Sequence, residues 1–309
     1  MTDNSHIAAM PHITIALCTF NGAKHLRAQL NSYLAQHHTN WSLWVSDDGS
    51  EDETLEIISA FSQQHGTLHP VRVVKGPQKG VAANYLSLLC HPGFPAGFTA
   101  LSDQDDVWQP EKLNYALQHM TCHAAPCLYG AQSVHVDDAL NPIGRSSTRG
   151  ARPSFSNALV QNVVSGHSAV LSPSALKLVR RAGVVADIPY HDWWLYLLLA
   201  GAGGRIVIDD RATLLYRQHS TNLMGAHIGW RATLERAMQV LGPTFRGWLD
   251  ANIKALNTCG AVLTPEAQAI LAGVSSNPRT PWQLARFGIR RQTFLGTAYI
   301  YLASITFRL

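Results

Sequence analysis

The first hundred residues alternate between short apolar segments and segments with helical spacing, and this pattern constrains the fold more than any other feature. Residues 12–20 are rich in Ile, Thr and Leu, as strands are, and Asn21-Gly22 leads into a segment with leucines at helical spacing. The pattern repeats up to residue 102. The sequence predicts strands at 12–20, 41–46, 71–75 and 98–102, with helices over 23–34, 55–61 and 80–90.

Strands that alternate with helices pair in parallel and form a sheet that is covered on both faces. Ligands collect at the carboxyl ends of the strands in such sheets. Polar groups stand at three of these ends, namely Thr19 to Asn21, Ser46 to Asp48 and Ser102 to Asp106. Because the connections are short and right-handed, we expect the three groups to converge on one crevice.

Beyond Pro110 the predicted order is mixed. It comprises a helix to Met120, extended stretches at 129–136 and 163–171, a helix from about Asp192 and a strand at 204–208. After Leu223 the pattern is helical, with boundaries at Gly242-Pro243, Thr264-Pro265 and Asn277-Pro278. We therefore predict one domain over residues 1–225, with halves at about 11–110 and 111–225, and a helical region over 226–309.

Cysteine usage and the N-terminus favour the cytoplasm. Five cysteines are an odd number without small-scaffold spacing, so we expect reduced thiols. The first ten residues lack Lys, Arg and an apolar core, so no signal peptide is expected. The longest uncharged apolar stretch, 293–307, is shorter than the roughly 20 residues that span a bilayer.

The segment Asp103-Gln104-Asp105-Asp106 places three carboxylates within four residues, and their mutual repulsion favours a cation among them. Mg²⁺ and Mn²⁺ choose oxygen ligands and bind through carboxylates together with substrate phosphates. A solvated acidic turn is the alternative interpretation. An EF-hand is excluded because its sixth position, a glycine in that motif, would be Trp108.

A second acidic pair, Asp47-Asp48, precedes Gly49-Ser50 and has acceptors for a base imide or for ribose hydroxyls. Asp-Gly sequences also occur simply as turns. No Gly-x-Gly-x-x-Gly and no P-loop follows any predicted strand, which argues against hydride transfer and P-loop ATP chemistry.

The segment His191-Asp192-Trp193-Trp194 precedes an apolar helix. Asp192 is either its N-cap or a partly desolvated carboxylate whose raised proton affinity suits a general base, with Asp187 as the competitor. The tryptophan faces are suited to stacking on sugar rings.

Further on, Arg217 is suited to pairing with phosphate and His219 to ligating the same metal. A surface His-Arg pair is the alternative interpretation of these two residues.

Taken in order, six motifs resemble glycosyltransferase family 2, and most of all its bacterial rhamnosyltransferase branch in cell-surface polysaccharide synthesis. They are Leu17 to Gly22, Ser46 to Ser50, Lys79 to Asn84, Ser102 to Trp108, His191 to Trp194 and Tyr216 to His219. The resemblance covers residues 11–225 and implies an α/β fold of the GT-A type, with a mostly parallel donor half and a mixed acceptor half. It also implies inverting transfer of one sugar, rhamnose or another hexose, from a dTDP- or UDP-linked donor to a glycan or polyprenyl-diphosphate-linked acceptor, as in O-antigen synthesis.

The resemblance also implies roles for individual residues. The base and ribose would be held by Thr19, Asn21, Asp47 and Asp48, with Lys79 and Asn84 near the donor. The family's Asp-x-Asp element would be Asp103 and Asp105, with Asp105 as the direct ligand of Mg²⁺ or Mn²⁺. The catalytic base would be Asp192, with His191, Trp193 and Trp194 on the acceptor side and Arg217 and His219 at the metal and diphosphate. Many relatives have Glu where this chain has His191, so the contribution of His191 stays open.

The C-terminal region predicts the setting of the enzyme. Residues from Ile228 onward carry nine Lys and Arg and three Asp and Glu, and Arg286, Arg290 and Arg291 flank an aromatic-rich stretch. This combination is typical of an interfacial helix on anionic lipid, peripheral on the inner face of the cytoplasmic membrane. Packing on the catalytic domain or pairing in a homodimer is the alternative, and no nucleic-acid partner is expected.

Two other functions are alternatives for a chain with these features. A sugar nucleotidyltransferase would need a glycine-rich basic loop after the first strand, and Thr19 to Gly22 is not one. A non-catalytic carbohydrate-binding protein of the same fold would bind donor without turnover.

Overall fold

The computed structural model describes residues 10–120, 124–146, 152–218, 242–275 and 279–306. The strands of the described part are β1 (Ile13–Thr19), β2 (Trp41–Asp47), β3 (Val71–Lys75), β4 (Phe98–Ser102), β5 (Val107–Trp108), β6 (Cys127–Val136), β7 (Pro142–Arg145), β8 (Val170–Leu171) and β9 (Arg205–Arg217). The helices are α1 (Ala23–Leu34), α2 (Thr54–His65), α3 (Val81–Leu89), α4 (Lys112–Met120), α5 (Phe155–Ala158), α6 (Pro173–Ala182), α7 (His191–Gly201), α8 (Pro243–Thr258), α9 (Pro265–Val274), α10 (Pro281–Arg286) and α11 (Phe294–Ile305).

The N-terminal half forms the parallel part of one mixed sheet, with the strand order β3-β2-β1-β4. Every residue of β1 and β2 is buried, because helices cover the sheet on both faces. The four strands and the helices α1 and α3 begin and end within one residue of the predicted bounds. The predicted alternation of strands and helices is therefore confirmed for this half.

The other half of the sheet is mixed. Strand β8 runs antiparallel to β4 and β6, β6 runs parallel to β9, and β5 pairs antiparallel with the end of β9. The predicted strand at 204–208 is therefore much longer, because β9 finds partners along its whole length as far as Arg217.

The prediction of an extended stretch over 163–171 is wrong for most of its length. Residues Gly166–Ser168 form a 3-10 turn, and only Val170–Leu171 is a strand. The Ser168 hydroxyl donates to the carbonyl of Ser165 (2.9 Å) and accepts from the amide of Ala131 (3.1 Å). The local bond to Ser165 offers the backbone an alternative to a strand ladder.

Two hydrophobic cores lie on opposite faces of the sheet. Ile13, Ile15 and Leu17 of β1 belong to the core under α1, α2 and α4, whereas Ala16 and Cys18 belong to the other core. Helix α7 lies in this second core and is buried nearly all round.

Helices α8 to α11 pack on the same core through apolar residues that include Phe245, Leu249 and Ile300. Helices α8 and α9 begin at Pro243 and Pro265, as predicted, whereas the predicted boundaries near Gly225 and at Asn277-Pro278 are not covered by the described ranges. Among the helices described, none combines the length and the apolar character needed to cross a bilayer.

Candidate active site

Hydrogen bonds join the carboxyl ends of β1, β2 and β4, so the predicted convergence of the three polar groups is confirmed. The Thr19 hydroxyl donates to Asp47 Oδ2 (2.7 Å). The Gln104 amide accepts from the Phe20 N–H (2.9 Å) and donates to the Phe20 carbonyl (3.0 Å). A Cβ at Gly22 would lie 2.3 Å from Gln104 Oε1, so this contact requires glycine there. Gln104, which forms one rim of the crevice, was not assigned a role from the sequence.

The two aspartates at the end of β2 are nearly buried and organise the surrounding loops. Asp47 accepts from the main-chain N–H and the hydroxyl of Ser50 (2.8 and 2.6 Å), in addition to its bond from Thr19. Asp48 accepts from the N–H groups of Gln78 (2.6 Å) and Gly80 (2.9 Å), after β3. The aspartates therefore fix the nucleotide-side wall, and their contact with a base or ribose stays a prediction.

Three further predicted donor residues occupy different environments. Asn21 is exposed, and its side-chain oxygen accepts from the Glu51 N–H (2.8 Å). Lys79 is exposed on the loop before α3. Asn84, however, is buried, and both atoms of its amide bond to Ser46, at 2.5 Å through the hydroxyl and 2.9 Å through the carbonyl. The polar atoms of Asn84 therefore hold α3 against β2, and its position near the donor stays a prediction.

The carboxylates of the turn between β4 and β5 repel one another. Asp103 and Asp105 are half-buried and Asp106 is fully buried. Burial, and then the charge of Asp105, raises the pKa of Asp103 to about 6. Burial, Asp105 and Asp103 raise the pKa of Asp106 well above its usual value. A cation among these groups would relieve the repulsion, as the sequence predicts.

Asp103, Asp106 and His167 present ligand atoms that all lie within 4.8 Å of one another. Asp106 Oδ2 and His167 Nε2 are buried, and within the described ranges they have no hydrogen-bond partner. The pKa of His167 is lowered to about 3, mainly by burial. Its imidazole is therefore neutral at pH 7 and able to bind a metal ion. Oxygen and imidazole ligands together suit a divalent ion such as Mn²⁺. These residues therefore fit the predicted metal.

Sequence reasoning missed His167 because the segment was assigned to a strand. The signal that was available is the polar run Gly166-His167-Ser168, which interrupts an apolar stretch. Lys112 fixes the turn: its ammonium donates to the His167 carbonyl (2.5 Å) and lies 4.2 Å from the centre of the Trp108 ring. Burial lowers the pKa of Lys112 to about 7, while the nearby charge of Asp106 opposes this shift.

Asp192 lies in the first turn of α7 and faces the same 3-10 turn. The helix begins at His191 with Tyr190 as its N-cap, so the alternative that Asp192 is the N-cap is wrong. Its carboxylate accepts from the N–H groups of Gly166 (3.0 Å) and Trp193 (2.7 Å). Burial raises the pKa of Asp192 to about 6, the direction that the sequence predicts. The competitor, Asp187, is exposed.

His191 connects the two carboxylate groups. Its ring stacks on Tyr85 with 3.9 Å between centroids, and the Tyr85 hydroxyl donates to Asp103 Oδ1 (2.9 Å). Burial is the main cause that lowers the pKa of His191 to about 4. A Cβ at Gly166 would lie 2.5 Å from His191 Nε2, so the turn presses directly on this ring. Asp103 and Asp192 are also close enough for the charge of Asp192 to raise the pKa of Asp103.

The prediction that Trp193 and Trp194 stack on an acceptor sugar is wrong. Trp194 is fully buried, and Trp193 is 4% exposed. The Trp193 indole N–H donates to the Ala158 carbonyl (2.6 Å), and its ring packs beside Phe245 and Trp248. Both rings belong to the core that joins α7 to the C-terminal helices, so their faces are not available to a ligand.

Arg217 lies beneath the acidic turn. Its guanidinium donates to the carbonyls of Asp105 (3.1 Å) and Asp138 (2.5 Å), and its N–H donates to Asp106 Oδ1 (3.3 Å). The side chain is nearly buried and holds the turn in place. Contact between Arg217 and a diphosphate stays a prediction, and His219 lies beyond the described residues.

Comparison with known sequences gives the class of this chain. The sequence profile of Glycosyl transferase family 2 matches residues 14–178, which is more than half of the chain. The chain therefore belongs to glycosyltransferase family 2, and the resemblance predicted from the six motifs is confirmed.

Individual relatives point to polysaccharide synthesis. The chain is 26% identical over 238 residues to the dTDP-rhamnosyl transferase RfbG of Shigella flexneri, covering 74% of this chain and 81% of the relative. It is also 28% identical over 120 residues to WfgD of Escherichia coli, a UDP-Glc:alpha-D-GlcNAc-diphosphoundecaprenol beta-1,3-glucosyltransferase, covering 38% of this chain and 44% of that protein.

Solved structures show the same fold. The mannosyltransferase PcManGT of Pyrobaculum calidifontis, in complex with GDP-Man and Mn²⁺, matches with a TM-score of 0.55 at 17% identity, covering 97% of this chain and 87% of that one. Residues 1–349 of S. aureus TarS match with a TM-score of 0.55 at 16% identity, covering 96% and 91% of the two chains. The predicted α/β fold of the GT-A type is confirmed.

Proposed function

We propose that this protein is a metal-dependent inverting glycosyltransferase that moves one sugar from a nucleoside-diphosphate donor to an acceptor hydroxyl. The observation that carries the proposal is the pair of carboxylates, Asp103 and Asp192, that share one site through Tyr85 and His191. One lies at the end of a nucleotide-side strand and the other begins the acceptor-side helix. An inverting displacement has the leaving group on one side of the sugar and the attacking hydroxyl on the other, so it needs one of these carboxylates on each side.

The donor would occupy the crevice at the ends of β1 and β2. Its base and ribose would meet Thr19, Asn21, Asp47 and Asp48, and Lys79 would approach the diphosphate, because these residues line the joined strand ends. The name of the relative RfbG supports a dTDP-linked rhamnose, and the name of WfgD supports a UDP-linked hexose with a polyprenyl-diphosphate-linked acceptor. We place the activity in synthesis of a cell-surface polysaccharide such as O-antigen, on the cytoplasmic side of the membrane.

The divalent cation, Mg²⁺ or Mn²⁺, would be held at the acidic turn. We propose Asp105 as the ligand nearest the donor, with His219, and Asp103, Asp106 and His167 as the inner ligands. When bound, the cation neutralises charge on the departing diphosphate. Arg217 supports the site from below by fixing the Asp105 carbonyl.

Asp192 would act as the general base. Its raised pKa leaves it ionised at neutral pH yet basic enough to take the proton of an acceptor hydroxyl. The hydroxyl oxygen then forms a bond to the anomeric carbon, and the bond from that carbon to the phosphate oxygen breaks. The electron pair leaves with the nucleoside diphosphate, and a single displacement inverts the anomeric centre. His191 would contact the acceptor beside Asp192.

A screen of nucleotide sugars by thermal unfolding tests the donor and metal proposals together. We expect a dTDP- or UDP-sugar to raise the Tm only when Mg²⁺ or Mn²⁺ is present, since a ligand that binds only the native state stabilises it. Asp105→Ala should abolish this metal-dependent rise. The matched control is Asp210→Ala, which removes an exposed carboxylate elsewhere. Equal stabilisation of all three proteins without metal would contradict the metal role.

Direct binding of Mn²⁺ separates the two groups of ligands. The experiment is titration calorimetry with Mn²⁺ in the absence of donor. If the inner ligands hold the ion, His167→Ala should weaken Mn²⁺ binding. If Asp105 holds it without them, only Asp105→Ala should weaken binding.

Product analysis separates the rival functions. A sugar nucleotidyltransferase would form nucleotide sugar from a nucleoside triphosphate and a sugar phosphate, and a non-catalytic protein would bind donor without turnover. We expect release of nucleoside diphosphate together with a glycosylated acceptor.

A further inference from the structure

The outer surface of α11 carries large apolar side chains that are exposed within the described part of the chain. Phe294, Leu295, Leu302 and Ile305 are 87%, 60%, 46% and 59% exposed, and the exposed Ala298 lies among them. At about 100° per residue, these five positions fall within one arc of roughly 100°. We call them the outer face of α11. The opposite side of the helix, with Ile300 and Ala303, is buried against the core.

This arrangement differs from that of a surface helix of a globular protein, which turns polar residues outward. Helix α11 is apolar on both sides. Its inner side contacts the protein core, so we expect its outer face to contact a second apolar environment. Trp282 of α10, which is 76% exposed, adds another large apolar side chain in the helix packed next to α11. Contiguous exposed apolar residues of this kind mark interaction sites.

The charged residues in the segment that contains this face are all positive. Residues 279–306 contain four arginines and neither Asp nor Glu. Arg286 at the end of α10 and Arg290 between the two helices are exposed. A two-fold interface between two copies would bring the same patch together with itself, and arginines would face arginines without an acidic partner from this segment. An anionic lipid surface pairs with the arginines and covers the apolar residues at the same time.

We propose that α10 and the outer face of α11 form a membrane-docking surface that lies in the headgroup region of an anionic bilayer. Helix α11 has 12 residues and is about 18 Å long, short of the roughly 30 Å hydrocarbon core, so it lies along the surface. Phe294, Leu295 and Trp282 enter the acyl boundary, while Arg286 and Arg290 bind lipid phosphates.

This surface is tied directly to the segment beside the proposed base. The Asn157 amide donates to the Arg290 carbonyl (2.9 Å), and the Gln161 side chain bonds to Gln292 at two positions (2.8 and 3.1 Å). The next residue, Asn162, forms a side-chain hydrogen bond that lowers the pKa of Asp192. Docking therefore orients the acceptor side of the site toward the membrane. This orientation rests on the proposed function, whereas the membrane-docking surface itself does not depend on it.

Co-sedimentation of the full chain with vesicles tests the proposal. We expect binding to vesicles of equal parts phosphatidylglycerol and phosphatidylcholine, weaker binding at high salt, and little binding to phosphatidylcholine alone. The double variant Arg286→Glu/Arg290→Glu should lower the partition coefficient by about fivefold or more per arginine. Phe294→Ser/Leu295→Ser should lower it at least as much. The matched controls are Arg27→Glu and Leu68→Ser, which change exposed residues elsewhere and should bind as the wild type does.

Two results would overturn the proposal. One is wild-type vesicle binding by both double variants. The other is a dimeric wild type, by light scattering, that Phe294→Ser/Leu295→Ser converts to a monomer, because a second copy would then cover the face. Metal-dependent donor binding, measured on the same variants by thermal unfolding, should be unchanged. Loss of donor binding in a variant alone would mean that the variant is misfolded. Absence of donor binding in the wild type would contradict the transferase proposal, separately from lipid binding.

Discussion

Replacing Asp192 with Asn removes the proposed base while changing the side chain very little. General base catalysis contributes about 10²- to 10⁴-fold, so we expect kcat to fall by that factor. The Asn oxygen still accepts one of the two hydrogen bonds that Gly166 and Trp193 donate to the carboxylate. Donor affinity should therefore change less than about threefold, because Asp192 lies on the acceptor side and an amide of similar shape preserves its packing.

The pH dependence gives a second measure of the same group. With a pKa of about 6, Asp192 is about 90% ionised at pH 7 and about 10% at pH 5. Only the ionised form accepts a proton, so wild-type kcat should fall about tenfold between these two values and level off above pH 7. Asp103 titrates in the same range, so the profile is measured with saturating metal and donor, which hold that carboxylate ionised.

The assay is release of nucleoside diphosphate under single-turnover conditions, with donor affinity measured separately by calorimetry. An Asp192→Asn variant with kcat within threefold of the wild type would refute the assignment. So would an acidic limb of the pH profile that is identical in the variant, since the titrating group would then be another residue.

Three further changes test how the site is held together. Lys112→Met leaves the buried His167 carbonyl without the ammonium that donates to it, so urea unfolding should show a loss of about 1–3 kcal/mol, and an unchanged free energy of unfolding would contradict this contact. Gly22→Ala should displace the Gln104 amide from Phe20 and remove two hydrogen bonds of about 1 kcal/mol each, seen as a lower Tm and weaker donor binding; an unchanged Tm would contradict this contact. Trp193→Phe should cost about 1–3 kcal/mol of stability through its lost bond to a carbonyl and leave the acceptor KM unchanged, whereas a raised KM with normal stability would restore the stacking role.

The sequence alone determined the parallel half of the sheet and the meeting of its polar strand ends. The spacing of apolar residues identifies β1, β2, β4 and the helices between them, because it is a property of each short segment by itself. The short right-handed connections between such elements then leave few possible topologies. Once the strands are parallel, Thr19, Asp47 and Asp103 must lie at one edge. The motifs that resemble the family come from this same edge, which is why they were readable before any coordinates.

The tertiary structure alone decided which polar residues face the crevice. Helix α7 is apolar on every side, so its sequence period did not show that Trp193 and Trp194 point into the core while Asp192 faces the turn. His167 reaches Asp106 across 61 positions of sequence because β8 and β6 fold back beside β4. The side that a uniformly apolar helix turns to the core and the approach of residues distant in sequence both depend on how separate elements pack, so periodicity within one element shows neither.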